Sequence, residues 1–227
     1  MLGGGSRACE AERVELIVSD DPAGAAASWL ARRLTEAVHR RGVGRIAVSG
    51  GATAPAVLSA LGNLPIPWAD VVVWQVDERI APDGDPNRNA VQLADLPARL
   101  QLMPVTATDL RRAADEYEAS LPDRFDVVHL GLGDDGHTAS WPPGETRVLK
   151  SERAVEVTDE FRGFRRMTLT PMVVNGARAR MVIATGSGKA PAVRRWLLRD
   201  RTIPVDKVRR KGTKAFLDPA AASELPG

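Results

Sequence analysis

Residues 45–55 read Arg45-Ile46-Ala47-Val48-Ser49-Gly50-Gly51-Ala52-Thr53-Ala54-Pro55. A short apolar run enters two glycines flanked by small polar residues, and a proline follows where a helix would take its first turn. A buried strand that passes through a tight loop into a helix is the repeating unit of a parallel α/β sheet. The same grammar recurs on both sides. Residues 13–18 read as a first strand, and Asp20, Asp21 and Pro22 supply a helix start. The helix carries Ala26, Leu30, Leu34, Ala37 and Val38 on one face, and Gly42 and Gly44 stop it. A second helix is expected over residues 55–61. Residues 71–76 are β-branched at consecutive positions, as in a strand buried on both faces.

Further on, Leu110, Ala113, Ala114, Tyr117 and Leu121 form another helical stripe. A strand over residues 125–130 opens into a glycine- and proline-rich loop, residues 131–144. Residues 166–170 look extended, residues 180–185 read as a buried strand, and residues 187–198 as a helix. Residues 214–217 are the candidate final strand. No repeat, low-complexity linker or shift of composition divides the chain, so residues 13–227 are expected to form one domain behind a flexible leader, residues 1–12.

Composition narrows the function classes. With 227 residues, 44% hydrophobic and 26% charged, the chain can bury one sizeable core. Its longest apolar runs are far below membrane-spanning length, and residues 1–12 hold no signal-like apolar stretch. A cytoplasmic protein without membrane association is the expectation. Cys9 is the only cysteine, so no internal disulfide and no cysteine metal cluster can form. The net charge is +2 and the isoelectric point near 9.0. The basic residues are interspersed with acids apart from one dense stretch, residues 207–214, which reads as a solvated loop, a polyanion contact or a site rim. No stacking platform for nucleic acid is visible, and no nucleic-acid partner is expected.

Three polar loops follow strands: those at Ser49, at Asp77 and at Gly131. Ligands of open parallel sheets collect at the carboxyl ends of strands, so these loops point to one shared pocket. In the first, Ser49, Gly50, Gly51 and Thr53 permit close backbone approach and precede a helix N-terminus suited to an anion; a tight structural turn is the alternative. The second, Asp77-Glu78-Arg79, offers an arginine fork to a phosphate or carboxylate, or an internal Asp–Arg pair. Asn89 could orient either partner or contact sugar hydroxyls. The third runs Leu130-Gly131-Leu132-Gly133-Asp134-Asp135-Gly136-His137-Thr138-Ala139-Ser140. His137 is flanked by Gly136 in a loop that can bring backbone amides, that of Gly136 included, near a ligand; it can take a proton from water near neutral pH and return it, and Asp135 could orient the imidazole. His39 and His129 fit structural roles better. Thr185-Gly186-Ser187-Gly188-Lys189 again joins a strand to a helix and supplies a cation at Lys189. Arg166 could face the same cleft or solvent.

In this order, the segments resemble the 6-phosphogluconolactonases. The family pattern is a Ser-Gly-Gly loop, Asp-Glu-Arg with a downstream asparagine, an Asp-Gly-His-Thr-Ala-Ser loop, Arg-x-Thr-Leu-Thr and Gly-x-Gly-Lys-Ala, and the likeness spans residues 14–217. It implies a Rossmann-like three-layer α/β/α fold with a mostly parallel central sheet, shared with glucosamine-6-phosphate deaminases and ribose-5-phosphate isomerases. It also implies His137 as general base, Arg79 and Lys189 on the substrate phosphate, and Arg166 as a further contact. The expected partner is a small sugar phosphate; neither cofactor nor metal is expected, and the chain is expected to be a monomer or weak homodimer. Three departures stand out. Trp141-Pro142-Pro143 replaces the usual Leu-Phe-Pro and could reshape a pocket wall, Arg88 stands where a serine commonly precedes the asparagine, and Ala52 replaces a serine. The deaminases are the nearest rival reading, but their loop carries an extra glutamate that residues 138–142 lack. A sugar-phosphate sensor without catalysis is the other.

Overall fold

A computed structural model describes residues 13–225. The leader, residues 1–12, and with it Cys9, lies outside the described residues, as do residues 226–227. In chain order the elements are β1 (Glu15–Val18), α1 (Pro22–Arg41), β2 (Gly44–Val48), α2 (Ala54–Gly62), β3 (Val71–Gln75), β4 (Asp77–Arg79), α3 (Asn89–Leu93), β5 (Arg99–Gln101) and α4 (Leu110–Ser120). They continue with β6 (Val127–Gly131), α5 (Arg147–Lys150), β7 (Val155–Val157), β8 (Arg166–Leu169), α6 (Pro171–Gly176), β9 (Arg180–Ala184), α7 (Ala190–Leu197) and β10 (Thr213–Leu217).

Seven strands pair in parallel in the order β1-β10-β9-β6-β2-β3-β5. The alternation of side chains explains why they need cover on both faces. Val71 and Val73 of β3 enter one hydrophobic cluster with Leu30 and Leu34 of α1 and Val57 and Leu61 of α2. Val72 and Trp74 enter the other, with Ala113 and Tyr117 of α4 and Val193 and Trp196 of α7. Helices thus cover both faces, giving the three-layer α/β/α arrangement. The start of α1 follows its sequence signals: Asp21 accepts the N–H of Gly24 at 2.8 Å, Pro22 opens the helix, and Gly42 closes it at φ +72°. No helix among the described residues is long and apolar enough to cross a membrane.

A second sheet was not anticipated. The strand expected over residues 71–76 ends at Gln75; Val76 still donates its N–H to Val48 at 2.9 Å, and then the chain leaves the central sheet. What read as a loop at Asp77 is β4, antiparallel to β8, which in turn pairs with β7. The register sets Asp77 opposite Thr168 and Arg79 opposite Arg166. In the central sheet Val48 pairs with Gln75 and with His129, so the carboxyl ends of β2, β3 and β6 lie level. The loops at Ser49, Asp77 and Gly131 therefore open side by side.

His129, in the middle of the sheet, is fully buried, and burial pushes its imidazole down to about 4 from an ordinary 6.5. The folded chain keeps it neutral in a range where the unfolded chain protonates it. Stability therefore falls as pH drops below the unfolded value and continues to fall toward the folded one. Between pH 7 and pH 5 this linkage amounts to about 2 kcal/mol. Urea denaturation of His129→Leu beside the wild type is expected to show a pH drop smaller by about that amount; equal drops in both chains would acquit His129.

Candidate active site

At the carboxyl ends of β2, β3, β6 and β9 lies a cavity of about 210 Å³. Its wall is formed by Ser49, Gly50, Gly51, Ala52 and Thr53 after β2, by Asp77 and Arg79 of β4, and by Asn89 at the start of α3. Gly131 at the end of β6 and Leu132, Gly133, His137, Thr138 and Ala139 from the loop after it contribute, and Arg162, Arg166 and Lys189 complete it. His137, Arg79 and Lys189, remote in sequence, thus share one space. A wider depression of about 570 Å³ runs along α1, lined among others by Arg32, Glu36, His39 and Arg40. It gathers none of the convergent loops, and His39 stays outside the site.

The first loop needs its glycines for distinct reasons. A Cβ on Gly50 would collide with the Asn89 side chain, and Gly51 sits at φ +108°. The Gly51 N–H donates to Gln92 Oε1 at 3.1 Å. Ser49 is buried, lines the cavity, and its hydroxyl has no hydrogen-bond partner among the described residues. Thr53 precedes α2 without capping it through its side chain.

Asn89 donates from Nδ2 to the Asp77 carbonyl at 2.8 Å, and its own N–H donates to Glu78 at 2.7 Å. Asn89 is therefore a brace between β4 and α3 as well as a wall residue. Asp77 is buried and accepts the Ser140 hydroxyl at 2.7 Å. Burial raises its carboxyl above the usual range, against the opposing pull of Ser140 and Arg166. Arg79 donates to the Asn87 carbonyl and lies over the Phe164 ring.

In the third loop Nδ1 of His137 meets Asp135 Oδ1 at 2.5 Å, and the same oxygen accepts the His137 N–H at 3.0 Å. Nδ1 being engaged, Nε2 is the nitrogen left for the cavity. Partial burial pushes the Asp135 carboxyl up, but its bonds to His137 and the charge of Arg162 outweigh this and hold it below the ordinary value. Asp135 stands behind the imidazole rather than in the cavity wall. Gly136 does not reach the wall either: at φ +85° its N–H donates to Gly133 at 3.1 Å and its carbonyl accepts the Val205 N–H at 3.0 Å. Gly133 passes so close to the imidazole that a Cβ there would collide with Nδ1. Trp141, the first residue of the departure that could reshape a pocket wall, is fully buried in the core, with Nε1 donating to the Leu169 carbonyl at 2.8 Å.

Lys189 ends a 3-10 turn, Ser187–Lys189, whose entry is fixed by Gly186 at φ +88° donating to both carboxylate oxygens of Asp218. Arg166 faces the cleft rather than solvent. Burial lowers its guanidinium below the ordinary arginine value, Asp77 opposes the fall, and the like charges of Arg79 and Arg162 add to it. Four cations, Arg79, Arg162, Arg166 and Lys189, thus stand against one acid, Asp77, in a small cavity. A phosphate-bearing guest is the complement to such a field.

Arg162 was missed by the sequence reading. It sits 2.7 Å from Asp134 and 3.2 Å from Asp135, and Phe161 beside it stands edge-on to the His137 ring at 5.4 Å. The available signal was the pair Arg162-Gly163 between Phe161 and Phe164, a two-residue turn ending in glycine. Asp134, Asp135 and His137 bring three donor atoms within 4.8 Å of one another, as a cation site would. Both carboxylates are, however, already bound to the guanidinium, and Asp135 to the imidazole.

Comparison with known proteins agrees with this architecture. The family model described as glucosamine-6-phosphate isomerases/6-phosphogluconolactonase matches residues 18–217. A 6-phosphogluconolactonase of Streptomyces coelicolor is 32% identical over 93% of this chain and 95% of its own. One of Mycobacterium tuberculosis is 32% identical over 92% and 96%. The crystal structure of a 6-phosphogluconolactonase from Shewanella baltica superposes with a TM-score of 0.81 at 25% identity, covering 91% of this chain and 97% of that one. On sequence and on fold, the chain belongs to the glucosamine-6-phosphate isomerase/6-phosphogluconolactonase family.

Proposed function

We propose that this cavity hydrolyses 6-phospho-D-glucono-1,5-lactone to 6-phosphogluconate, a step of the oxidative pentose phosphate pathway, with His137 as general base. The observation that carries the reading is the joining of an Asp135-backed imidazole to a ring of cations in one cavity. Nε2 of His137 takes a proton from water, whose oxygen attacks the lactone carbonyl. The tetrahedral oxyanion then collapses, the bond from the carbonyl carbon to the ring oxygen breaks, and the imidazolium returns its proton to that oxygen. The amides of Gly51, Gly133, Gly136 and His137 are engaged elsewhere. The cationic side chains and the Ser49 hydroxyl meet the developing charge, placed before the reaction begins.

Arg79 and Lys189 hold the phosphate, with Arg166 as a third contact, and Asn89, Gly50 and Gly51 shape the ring's seat. No step draws on a metal or a cofactor. Residues 13–227 act as one domain, in the cytoplasm, as a monomer or weak homodimer that binds a small sugar phosphate and no nucleic acid.

His137→Ala is expected to lower kcat by roughly 10²- to 10⁴-fold, the usual contribution of a positioned acid–base group. Gly133→Ala, which displaces the imidazole without removing it, should approach the same loss while leaving circular dichroism unchanged. Turnover equal to wild type in His137→Ala, on fresh lactone corrected for spontaneous opening, would remove the base. Arg79→Ala and Lys189→Ala should chiefly raise KM for the phosphorylated lactone and spare any activity on the unphosphorylated one; equal losses on both would sink the clamp. Dialysis against a chelator should leave kcat unaltered, and loss restored by a divalent cation would contradict metal-free hydrolysis.

A further inference from the structure

The tip of the hairpin between β7 and β8 carries an arginine in a backbone conformation arginine seldom adopts. Arg162 and Gly163 have φ of +52° and +81°. Phe161 and Phe164 exchange N–H···O bonds across them at 2.9 and 3.3 Å. This is the two-residue turn with positive φ at both central positions, whose first place normally goes to Asn, Asp or Gly. The side chain placed there makes contacts that account for it. Its guanidinium bridges Asp134 Oδ1 at 2.7 Å and Asp135 Oδ2 at 3.2 Å. The other oxygen of Asp135 holds Nδ1 of His137. The guanidinium also lies 5.4 Å from the centre of the Phe161 ring, which in turn meets the imidazole edge-on. Both neighbours of the imidazole, the carboxylate behind it and the ring beside it, are thus fixed by one turn.

We infer that Arg162 is a positioning residue for the base: by holding the second oxygen of Asp135 it keeps that carboxylate aimed at Nδ1, so that Nε2 of His137 stays directed to water. The inference rests on the proposed role of His137. A carboxylate bound at one oxygen alone can swing about its Cβ–Cγ bond and release the imidazole; one bound at both cannot. The guanidinium also balances the carboxylate charge beside the imidazole, and an unbalanced anion nearby favours the protonated form of a histidine. The charged groups around His137 are Asp134 and Asp135 from its own loop, Arg162 from the hairpin, and Arg166, Lys189, Arg79 and Asp77 across the cavity. Among the described residues no other cationic side chain bonds to the Asp135 carboxylate, so none replaces Arg162 in this role.

Two variants separate charge from turn geometry. Arg162→Asn tolerates the left-handed position and removes the cation; Arg162→Lys keeps a cation at the same place. For Arg162→Asn, kcat is expected to fall about tenfold or more, KM to move less than about threefold, and the acid limb of the kcat–pH profile to shift to higher pH. For Arg162→Lys, kcat should recover in part and the acid limb should return toward the wild-type position. Thermal melts that match the wild type establish that each variant is folded. A wild-type kcat and pH profile in Arg162→Asn overturns the inference, as does Arg162→Lys impaired as deeply as Arg162→Asn in both measures. If His137→Ala keeps full turnover, the base itself is wrong. If His137→Ala is inactive while Arg162→Asn is unimpaired, only the positioning role falls.

Discussion

The carboxylate of Glu78, fully enclosed beneath the cavity, is the constraint on which the site's construction depends. Its two oxygens accept the backbone N–H groups of Arg79, Asn89 and Ala90 and the side-chain amide of Gln75, each at 2.7 or 2.8 Å. The Arg88 guanidinium lies 3.2 Å away. An ionised carboxyl without such partners would be far too expensive to bury. Satisfying it fixes where β4 leaves the central sheet, where α3 begins, and hence where Arg79 and Asn89 face. Asn89 then presses against Gly50, so the first loop inherits its position from the same carboxylate. Arg88, where the family commonly has serine, gives Glu78 a countercharge and reaches Asp83 at 2.7 Å and the Ala81 carbonyl. It is a structural tie rather than a change in the cavity.

Charge density along the chain and charge density in space are different quantities here. The densest basic run, residues 207–214, contributes nothing to the cavity. Most of it lines a separate depression with Arg199 and Arg201, and its Arg210 is paired with Asp206. The four cations of the site come from three segments: Arg79 from β4, Arg162 and Arg166 from the β7–β8 hairpin, and Lys189 from the turn before α7. A net charge of only +2 therefore hides a strongly positive interior surface.

Six of the seven central strands were legible as short apolar runs; β5, Arg99-Leu100-Gln101, carries no such run and was not. Val71 to Val73 needs no partner to announce itself. Of the second sheet only β8 was read, as the extended residues 166–170; β4, β7 and the pairing were not. Its strands have three or four residues, β4 is wholly charged, and β4 pairs with β8 more than a third of the chain away. No local period marks such segments; tertiary pairing decides them. The same limit explains the site. Loops at strand ends could be recognised by composition, and they hold His137, Lys189 and Ser49. Arg162 acts through Asp135, and nothing in the hairpin's own sequence shows that carboxylate to be near. Gly136 looked like a ligand contact because of its neighbours, yet its amide is needed to close the turn that presents His137. The Trp141-Pro142-Pro143 departure left its effect on the pocket open in the sequence, and the size and apolar ring of Trp141 carry that residue into the core.

Like charges crowd the cavity: Arg79 and Arg162 each repel Arg166, and burial deprives Arg166 of much of the water that would screen this. An anion that enters relieves that repulsion as well as making its own bonds, so part of its affinity is set by the fold that gathers the cations. By mass action the same event raises the resistance of the whole chain to heat. Occupancy by substrate or product therefore becomes a determinant of the protein's lifetime as well as of its turnover.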